Sequence, residues 1–242
     1  MKYGGMNPES PEGIIILNKP SGWTSHDVVK KVRNLLGGAK VGHAGTLDPA
    51  ATGVLVLLVG RATRESSRIT GDDKRYRAQI TFGRSTDTFD GDGATVETGD
   101  PESMDRERLP SLIQGLLGES EQLPPLYSAV KVKGKRLYKY ARSGDIPERT
   151  PRKIRIDSIS CDCTAFPVID LEIACSKGTY IREIAHRLGE LSGCPAHLSA
   201  LCRIASGPFT IEHAVTLEEL KDHIGRSELL KLIRPVPDRN QE

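Results

Sequence analysis

The sequence lacks any apolar run long enough to cross a bilayer. Its longest such run, residues 54–59, has six residues, against the roughly 20 that a transmembrane helix needs. Residues 1–12 are polar, with glycine and proline, and contain no apolar stretch of the kind found in a secretory signal peptide. These absences predict a cytoplasmic protein without a membrane anchor.

The sequence also lacks a disulfide framework, because its five cysteines are odd in number and irregularly spaced. Cys161 and Cys163 are separated by one residue, whereas common zinc pairs have two to four residues between the ligands. Alternation along a strand places these two thiols on one face. We therefore expect reduced, mostly buried cysteines and no metal site.

Motifs for nucleotide and calcium binding are absent as well. The glycine-rich residues 37–42 resemble a phosphate-binding loop, but the Lys-Ser/Thr pair that such a loop requires does not follow. The acidic residues 87–93 cannot be aligned with a calcium loop, since Gly99 falls where the bidentate glutamate belongs. A nucleotide triphosphatase and a calcium-binding module are thereby excluded.

Charge is segregated along the chain, although the net charge is only +2. Residues 131–155 contain ten Lys or Arg and two acids, and residues 85–107 contain eight acids and a single Arg. This pattern predicts one surface for a polyanion and another that is kept away from it. Two solvated loops would have the same composition, so charge alone leaves both interpretations open.

Hydrophobic periodicity predicts an α+β fold with a mixed sheet. Tyr76, Ala78, Ile80 and Phe82 alternate with polar residues, as in a half-buried strand. Strands are predicted at residues 14–17, 54–59, 75–82, 127–132, 154–163, 168–175 and 198–204. Helices are predicted at residues 25–36 (capped by Thr24 or Ser25), 61–70, 105–117 (weakened by Pro110), 180–190, 217–224 and 228–233.

The most unusual segment is a Gly/Pro/Thr-rich loop at residues 43–53, with Asp48 in its middle. Glycine and proline allow tight turns and a close approach of the backbone to a ligand. By composition alone, Asp48 would be a turn residue that hydrogen-bonds to its own backbone. The wider sequence favours a catalytic role instead.

Several motifs, in order along the chain, resemble those of the tRNA pseudouridine-55 synthase (TruB) family. The loop Gly42-His43-Ala44-Gly45-Thr46-Leu47-Asp48-Pro49-Ala50-Ala51-Thr52-Gly53 is similar to the family's G-x-G-T-L-D-P-x-A-T-G signature. The other motifs that carry the resemblance are Leu17–Ser25, Lys74-Arg75-Tyr76, residues 124–138, Cys175–Arg182 and Leu198–Arg203. The similarity covers residues 13–235.

The resemblance implies a pseudouridine synthase catalytic fold, with a mixed, largely antiparallel central sheet flanked by helices and loops. It predicts a flexible leader at residues 1–12 and a catalytic domain at residues 13–242, with a basic RNA-gripping insertion at about 124–155. The small C-terminal RNA-binding domain usual in bacterial relatives is expected to be absent, which would weaken the grip on tRNA. The implied activity is isomerisation of uridine 55 in the T-stem-loop of tRNA, after the base is flipped out.

The resemblance also implies roles for seven residues. Asp48 would be the catalytic nucleophile, Arg182 would pair with it, and Tyr76 would stack on the uracil with its hydroxyl near the ribose. His43, Tyr180, Leu201 and Lys19 are the predicted substrate-binding residues, with Lys19 supporting the catalytic loop. Without the resemblance, Arg182 would be a solvated helix residue, Tyr76, Tyr180 and Leu201 would be core residues, and His43 would be bonded locally.

The implied reaction is redox-neutral and needs no metal or other cofactor. The expected partner is tRNA, with no DNA, no membrane and no obligatory protein. A related synthase guided by a small RNA inside a ribonucleoprotein is an alternative, as is a non-catalytic module that helps tRNA to fold. A binding module would not need the acid, so the combination of Asp48, Tyr76 and Arg182 favours chemistry.

Overall fold

The computed structural model describes residues 11–222 and 230–237. Residues 1–10 of the predicted leader (residues 1–12) and the parts of the predicted C-terminal helices at residues 223–229 lie outside the described residues. The strands are β1 Gly13–Lys19, β2 Val41–Ala44, β3 Thr52–Val59, β4 Lys74–Phe82, β5 Arg84–Thr86, β6 Thr95–Thr98, β7 Gly118–Gln122, β8 Lys131–Val132, β9 Lys135–Arg136, β10 Arg152–Asp162, β11 Val168–Cys175, β12 Ala196–Ser206 and β13 Phe209–Thr210. The α-helices are α1 Ser25–Leu35, α2 Ser66–Thr70, α3 Leu109–Gln114, α4 Leu137–Ser143, α5 Ile181–Ser192 and α6 Leu217–Asp222. The predicted α+β class with a mixed, largely antiparallel sheet is confirmed.

The chain forms two compact units, one from residues up to 72 together with those from 203 onward, and one from residues 73–202. In the first unit, β1 and β2 both pair antiparallel with β3. The strand β3 is buried along almost its whole length, which agrees with the apolar run predicted there. Helix α1 begins after Thr24, whose side chain accepts a hydrogen bond from Asp27 N in a reciprocal capping box. Thr24, one of the two predicted capping residues, is therefore the cap.

In the second unit, β4, β11, β10 and β7 are neighbours in that order. Inward-facing side chains of β4 and β11 pack against α3 and α5 in one apolar cluster. The strand β4 alternates as predicted, with Tyr76, Ala78, Ile80 and Phe82 buried. Strand β7 was not predicted because its five residues are polar and mostly exposed, and no hydrophobic alternation marks it.

Four local predictions need correction. The predicted strand at residues 127–132 is reduced to β8, since the backbone at 128 and 130 instead accepts hydrogen bonds from Tyr138 N and Leu137 N. Pro110 does not weaken a longer helix: it lies in the first turn of α3, where its missing N–H has no intrahelical partner to lose.

His43 and Ala44 belong to β2, and Thr52 and Gly53 belong to β3, so that the loop itself comprises residues 45–51. The cysteines are all free, but only Cys175 and Cys194 are buried.

The prediction that Cys161 and Cys163 share one face is confirmed, because their sulfur atoms lie 2.7 Å apart. In the described part of the chain, no helix is long and apolar enough to cross a membrane. Nor do three or more His, Cys, Asp or Glu side chains cluster there in a way that could hold a metal ion.

Candidate active site

The loop that carries Asp48 connects β2 to β3 in the first unit. Its backbone carbonyls are hydrogen-bonded in succession rather than left to solvent. Arg203 donates hydrogen bonds to the carbonyls of residues 45 and 46, and Ser25 donates to that of residue 47. The carbonyls of residues 48, 49 and 50 accept hydrogen bonds from Ala51 N, Lys19 and Ser21, respectively. A loop whose acceptors are all bound has few alternative conformations, so the backbone on either side of Asp48 is fixed.

Arg203 holds the entrance of this loop. Its side chain is almost fully buried, at 1% exposure. Nε donates to Val54 O at 2.8 Å, Nη2 to Gly45 O at 3.0 Å and Nη1 to Thr46 O at 3.5 Å. One planar guanidinium therefore links the start of the loop to the strand that follows it.

Glycine is required at two places where the chain passes Arg203. At Gly53, φ is +97°, and an added Cβ would lie 2.3 Å from Arg203 O. At Gly45, φ is +92°, and an added Cβ would lie 3.4 Å from the guanidinium. Both positive φ values favour glycine, and at Gly53 the missing side chain also permits the close approach of the Arg203 backbone.

Ser25 anchors the residue immediately before Asp48. Its buried hydroxyl accepts a hydrogen bond from Leu47 N at 2.9 Å and donates one to Leu47 O at 3.1 Å. Ser25 is also the first residue of α1, so the helix and the loop are joined at this point.

Lys19 anchors the far side of the loop. Its ammonium donates to Trp23 O at 2.7 Å, Pro20 O at 2.9 Å and Pro49 O at 3.0 Å, and the residue has no exposed surface. Burial lowers the pKa of Lys19 from 10.5 to about 8, while the Asp48 carboxylate opposes this shift and the Arg203 charge adds to it. The geometry favours support of the loop over direct contact with RNA.

His43 lies on β2 directly opposite Leu57 of β3, and its ring is half-buried. Its carbonyl oxygen accepts a hydrogen bond from the Ser66 hydroxyl at 3.1 Å. The side chain is therefore carried by a strand rather than by the loop, and the strand pairing restricts its direction.

The second unit holds the other predicted site residues. Tyr76 is 9% exposed, faces the apolar cluster from β4, and is paired in register with Ile173. Leu201 on β12 is half-buried and packs against the same cluster. Both residues combine a core environment with limited exposure, which is compatible with either a pocket wall or a purely structural role.

Arg182, the second residue of α5, is not the solvated helix residue that composition alone allows, since it is only 4% exposed. Nη2 donates to Tyr127 O at 3.0 Å and Nη1 to Thr88 O at 3.4 Å. Nη1 also lies 3.5 Å from Asp90 Oδ2, in an ion pair. A buried guanidinium needs such partners, because an unpaired buried charge is strongly destabilising.

Asp90, which no sequence motif singles out, belongs to the environment of Arg182. Its Oδ1 accepts from the Thr88 hydroxyl at 2.5 Å and from Asp92 N at 3.2 Å, which orients the carboxylate. The sequence showed an acidic stretch that fits no calcium loop, and nothing in the spacing indicated a buried arginine 92 residues away.

Tyr180 precedes α5 and supplies no side-chain cap to it. Instead, Gln122 at the end of β7 brackets the Tyr180 backbone: Oε1 accepts from Tyr180 N at 2.7 Å, and Nε2 donates to Tyr180 O at 3.0 Å. This amide fixes the start of the helix that presents Arg182 two residues later. Gln122 was also missed, since a glutamine at the end of a polar segment has no signature.

Comparison with known proteins identifies the family. The TruB family pseudouridylate synthase N-terminal domain matches residues 33–181, which include Asp48, Tyr76 and Tyr180. The chain belongs to the TruB family of pseudouridylate synthases. The tRNA pseudouridylate synthase B C-terminal domain matches residues 182–238, which include Arg182, Leu201 and Arg203. As a TruB-family protein, the chain is an RNA-modifying isomerase.

Individual relatives agree with this assignment. The tRNA pseudouridine synthase B of Syntrophotalea carbinolica is 45% identical over 234 residues, covering 94% of this chain and 76% of that protein. The protein of the same name from Symbiobacterium thermophilum is 48% identical over 222 residues, covering 90% and 74%. That of Opitutus terrae is 42% identical and covers 93% of both chains.

A solved structure supports the TruB-family fold. A chain in the crystal structure of a Cbf5-Nop10-Gar1 complex superposes with a TM-score of 0.73 at 28% identity. The superposition covers 97% of this chain and 67% of that one. The predicted pseudouridine synthase catalytic fold is thereby confirmed.

Proposed function

We propose that this TruB-family enzyme converts uridine 55 in the T-loop of tRNA to pseudouridine. Relatives named tRNA pseudouridine synthase B, at 42–48% identity, support tRNA as the substrate. The single observation that carries the proposal is the Asp48 loop, whose carbonyls at residues 45–50 are all bound. Such preorganisation is what an enzyme needs in order to hold a reactive carboxylate in one place.

The reaction breaks the N1–C1′ bond, turns the base, and joins C5 to C1′, and the proton leaves C5 while N1 regains one. No electrons are gained or lost, so the chemistry needs neither an oxidant nor a cofactor. It does need a group that stabilises or captures the separated sugar or base, and a carboxylate can do so as a nucleophile. We assign this role to Asp48, with attack at C1′, attack at C6, and assistance of a glycal route as the possible forms.

Arg182 is proposed to keep Asp48 ionised as the pocket loses water, since a neighbouring positive charge favours the carboxylate form. Tyr76 is proposed to stack on the uracil and to place its hydroxyl near the ribose, where a proton must move. Tyr180 and Leu201 would form walls of the pocket for the base, and His43 would help to hold the extruded nucleotide. Lys19 would act through the loop, as its bonds to three carbonyls suggest.

The target base is stacked in the folded T-arm, so it has to be extruded at a cost of a few kcal/mol. Phosphate contacts from the basic segment, residues 131–155, can offset that cost. Most of its cations are exposed and carried on the β8–β9 hairpin, on α4 and at the start of β10. We propose that this segment grips the RNA while the groups on the loop and on α5 perform the reaction.

The test uses the purified chain alone with an unmodified T-arm minihelix, and maps pseudouridine chemically. We expect one pseudouridine at position 55, and none when that uridine is replaced by cytidine. The Asp48→Asn variant should lose at least about 10³-fold in single-turnover rate, because an amide is a poor nucleophile, while RNA affinity stays within a few-fold.

The matched control is Asp170→Asn, an exposed acid whose partner, the Gln79 amide at 3.0 Å, can also bond to the new side chain's oxygen. This variant should react at the wild-type rate. Absence of product from the wild-type chain at stoichiometric enzyme would refute the activity. Retention of more than about a tenth of the rate by Asp48→Asn would refute the assignment of the nucleophile.

A further inference from the structure

A buried arginine and a buried lysine hold opposite ends of the Asp48 loop. Arg203 binds the carbonyls at 45 and 46, and Lys19 binds the carbonyl at 49. The hydroxyl of Ser25 holds residue 47 between them. Asp48 is thus the one acidic residue in a segment whose backbone is clamped before and after it.

Resting on the function proposed above, we propose that Arg203 is a positioning residue for the isomerisation. It acts through the loop and not by contact with the base, because its guanidinium is buried and its three hydrogen bonds within the described residues all end on backbone carbonyls. Its task is to tie Gly45 and Thr46 to Val54, so that Asp48 projects in one direction when RNA is bound.

The shape of the guanidinium carries this inference. Nε reaches Val54 on β3, while the two Nη atoms reach the start of the loop, so the donors diverge across a rigid plane. A lysine at this position would keep the positive charge but concentrate its donors on a single nitrogen, which cannot bridge the two sites. Charge and geometry can therefore be separated by one conservative change.

Close packing excludes an incidental contact. Arg203 is among the largest fully buried side chains in the described residues, and its backbone passes so close to Gly53 that a methyl group there would overlap Arg203 O. The loop and the arginine consequently fit each other on both the side-chain and the backbone level. A shift of about 1 Å in a catalytic group can reduce a rate by about 10²-fold, so even slight loosening should be measurable.

The experiment compares Arg203→Lys with the wild type by single-turnover kinetics at saturating minihelix RNA. We expect the saturated rate to fall about 10- to 100-fold and the RNA dissociation constant to stay within about threefold. Hydrogen–deuterium exchange is measured in parallel on a peptide spanning residues 44–53, where uptake should rise. If the lysine variant does not fold, Arg203→Gln, whose planar amide can keep one of the bonds, is used for the same comparison.

Two controls separate positioning from lost stability. Arg68→Lys alters an arginine of the first unit that donates to the Pro237 carbonyl and to Glu65, outside the loop. Ile69→Val trims a buried core residue of the same unit, and serves as a control for a drop in Tm without any change at the loop. Both should keep the wild-type saturated rate and the wild-type exchange at residues 44–53.

The inference is overturned if Arg203→Lys reacts within twofold of the wild-type rate, or if its loss is entirely in RNA binding. It is also overturned if exchange at residues 44–53 does not change, whatever the rate. Absence of pseudouridine with the wild-type chain would instead refute the proposed function, and the exchange measurement would still decide whether Arg203 holds the loop.

Discussion

At the scale of single residues, the environment of Asp48 is unusual because two cations are buried near it. Burying a charge is unfavourable unless partners compensate, and here backbone carbonyls supply most of that compensation. The cost is visible at Lys19, whose pKa is lowered to about 8 chiefly by burial. An ammonium this close to losing its proton makes the loop sensitive to mildly alkaline conditions.

We therefore predict that the single-turnover rate falls as the pH rises through about 8. Below that pH, Lys19 is an ammonium with a hydrogen for each of its three carbonyl partners. Above it, the neutral amine has two hydrogens, and its positive charge beside Asp48 is gone. The measurement is a rate–pH profile at saturating RNA between about pH 6.5 and 9.

The variant Lys19→Met should react more slowly and should lack this alkaline decline. An exposed-lysine control, Lys40→Met, should keep both the rate and the decline of the wild type. If the decline persists in Lys19→Met, it arises from the RNA or from another group, and the role given to Lys19 is wrong.

At the scale of elements, the start of α5 is fixed by hydrogen bonds, and its first turn carries ionisable side chains that are buried or partly buried. Gln122 brackets the backbone at Tyr180, and Arg182 follows in the first turn. The next residue, Glu183, lies over a groove of about 610 Å³ between α5, α3 and β7. Burial raises the pKa of Glu183 to about 7, although Arg149 and Arg182 act in the opposite direction.

A raised carboxyl pKa has a defined effect on stability. In the unfolded chain Glu183 titrates near 4.5, and in the folded protein near 7, so the folded state binds more protons between these values. Its contribution to stability is thus fully favourable below pH 4.5 and is lost as the pH rises through 7. We predict that Glu183→Gln raises the free energy of unfolding at pH 8 by about 1–3 kcal/mol and gives no gain at pH 4.5.

Thermal or denaturant unfolding at the two pH values tests this prediction. The neighbouring Glu190→Gln, an exposed acid paired with Arg187 at 3.1 Å, should give at most a small gain at pH 8. An equal gain for Glu183→Gln at both pH values would mean that packing, and not ionisation, is responsible.

At the scale of the whole molecule, positive charge is concentrated in the basic segment, to which we assign the grip on RNA, while the proposed chemistry belongs to other residues. None of the residues proposed to act on the uridine lies within the basic segment. Each phosphate contact adds roughly 0.7 to 0.9 to the slope of log affinity against log salt concentration. Changing the exposed Lys133, Arg136 and Lys139 together to alanine should therefore lower that slope by about two to three units and weaken RNA binding.

The control carries the same change in net charge elsewhere: Arg106, Arg108 and Arg187, all exposed, are replaced by alanine. Its salt slope should remain that of the wild type. With RNA saturating, the basic-segment variant should also keep its single-turnover rate. An unchanged slope with a collapsed saturated rate would show that these cations serve the fold or the reaction.

Much of the local structure followed from the sequence because its causes are local. Alternation predicted β4 with its buried face, and the period of apolar residues predicted α1 and α5. The Thr24 cap depends on residues only three positions apart. Polar segments were harder to predict, because a strand such as β7 has no apolar face and forms only because β10 pairs with it.

The amino-acid sequence alone identified the family and the residue types proposed to carry the chemistry, because the motifs place an acid, a tyrosine and an arginine in recognisable settings. It also determined that charge is segregated. The contacts that hold those residues in place became visible only in the folded chain. Arg203 meets Gly45 across 158 positions of sequence, and Arg182 lies beside Asp90.

Such pairings depend on how buried donors and acceptors find partners once the chain is folded, and spacing along the chain does not encode them. A buried carbonyl must be bonded, but the sequence does not say to which side chain. The Asp48 loop therefore looked like an ordinary Gly/Pro-rich turn in the sequence, and proved in the folded chain to be bonded at every carbonyl from residue 45 to residue 50.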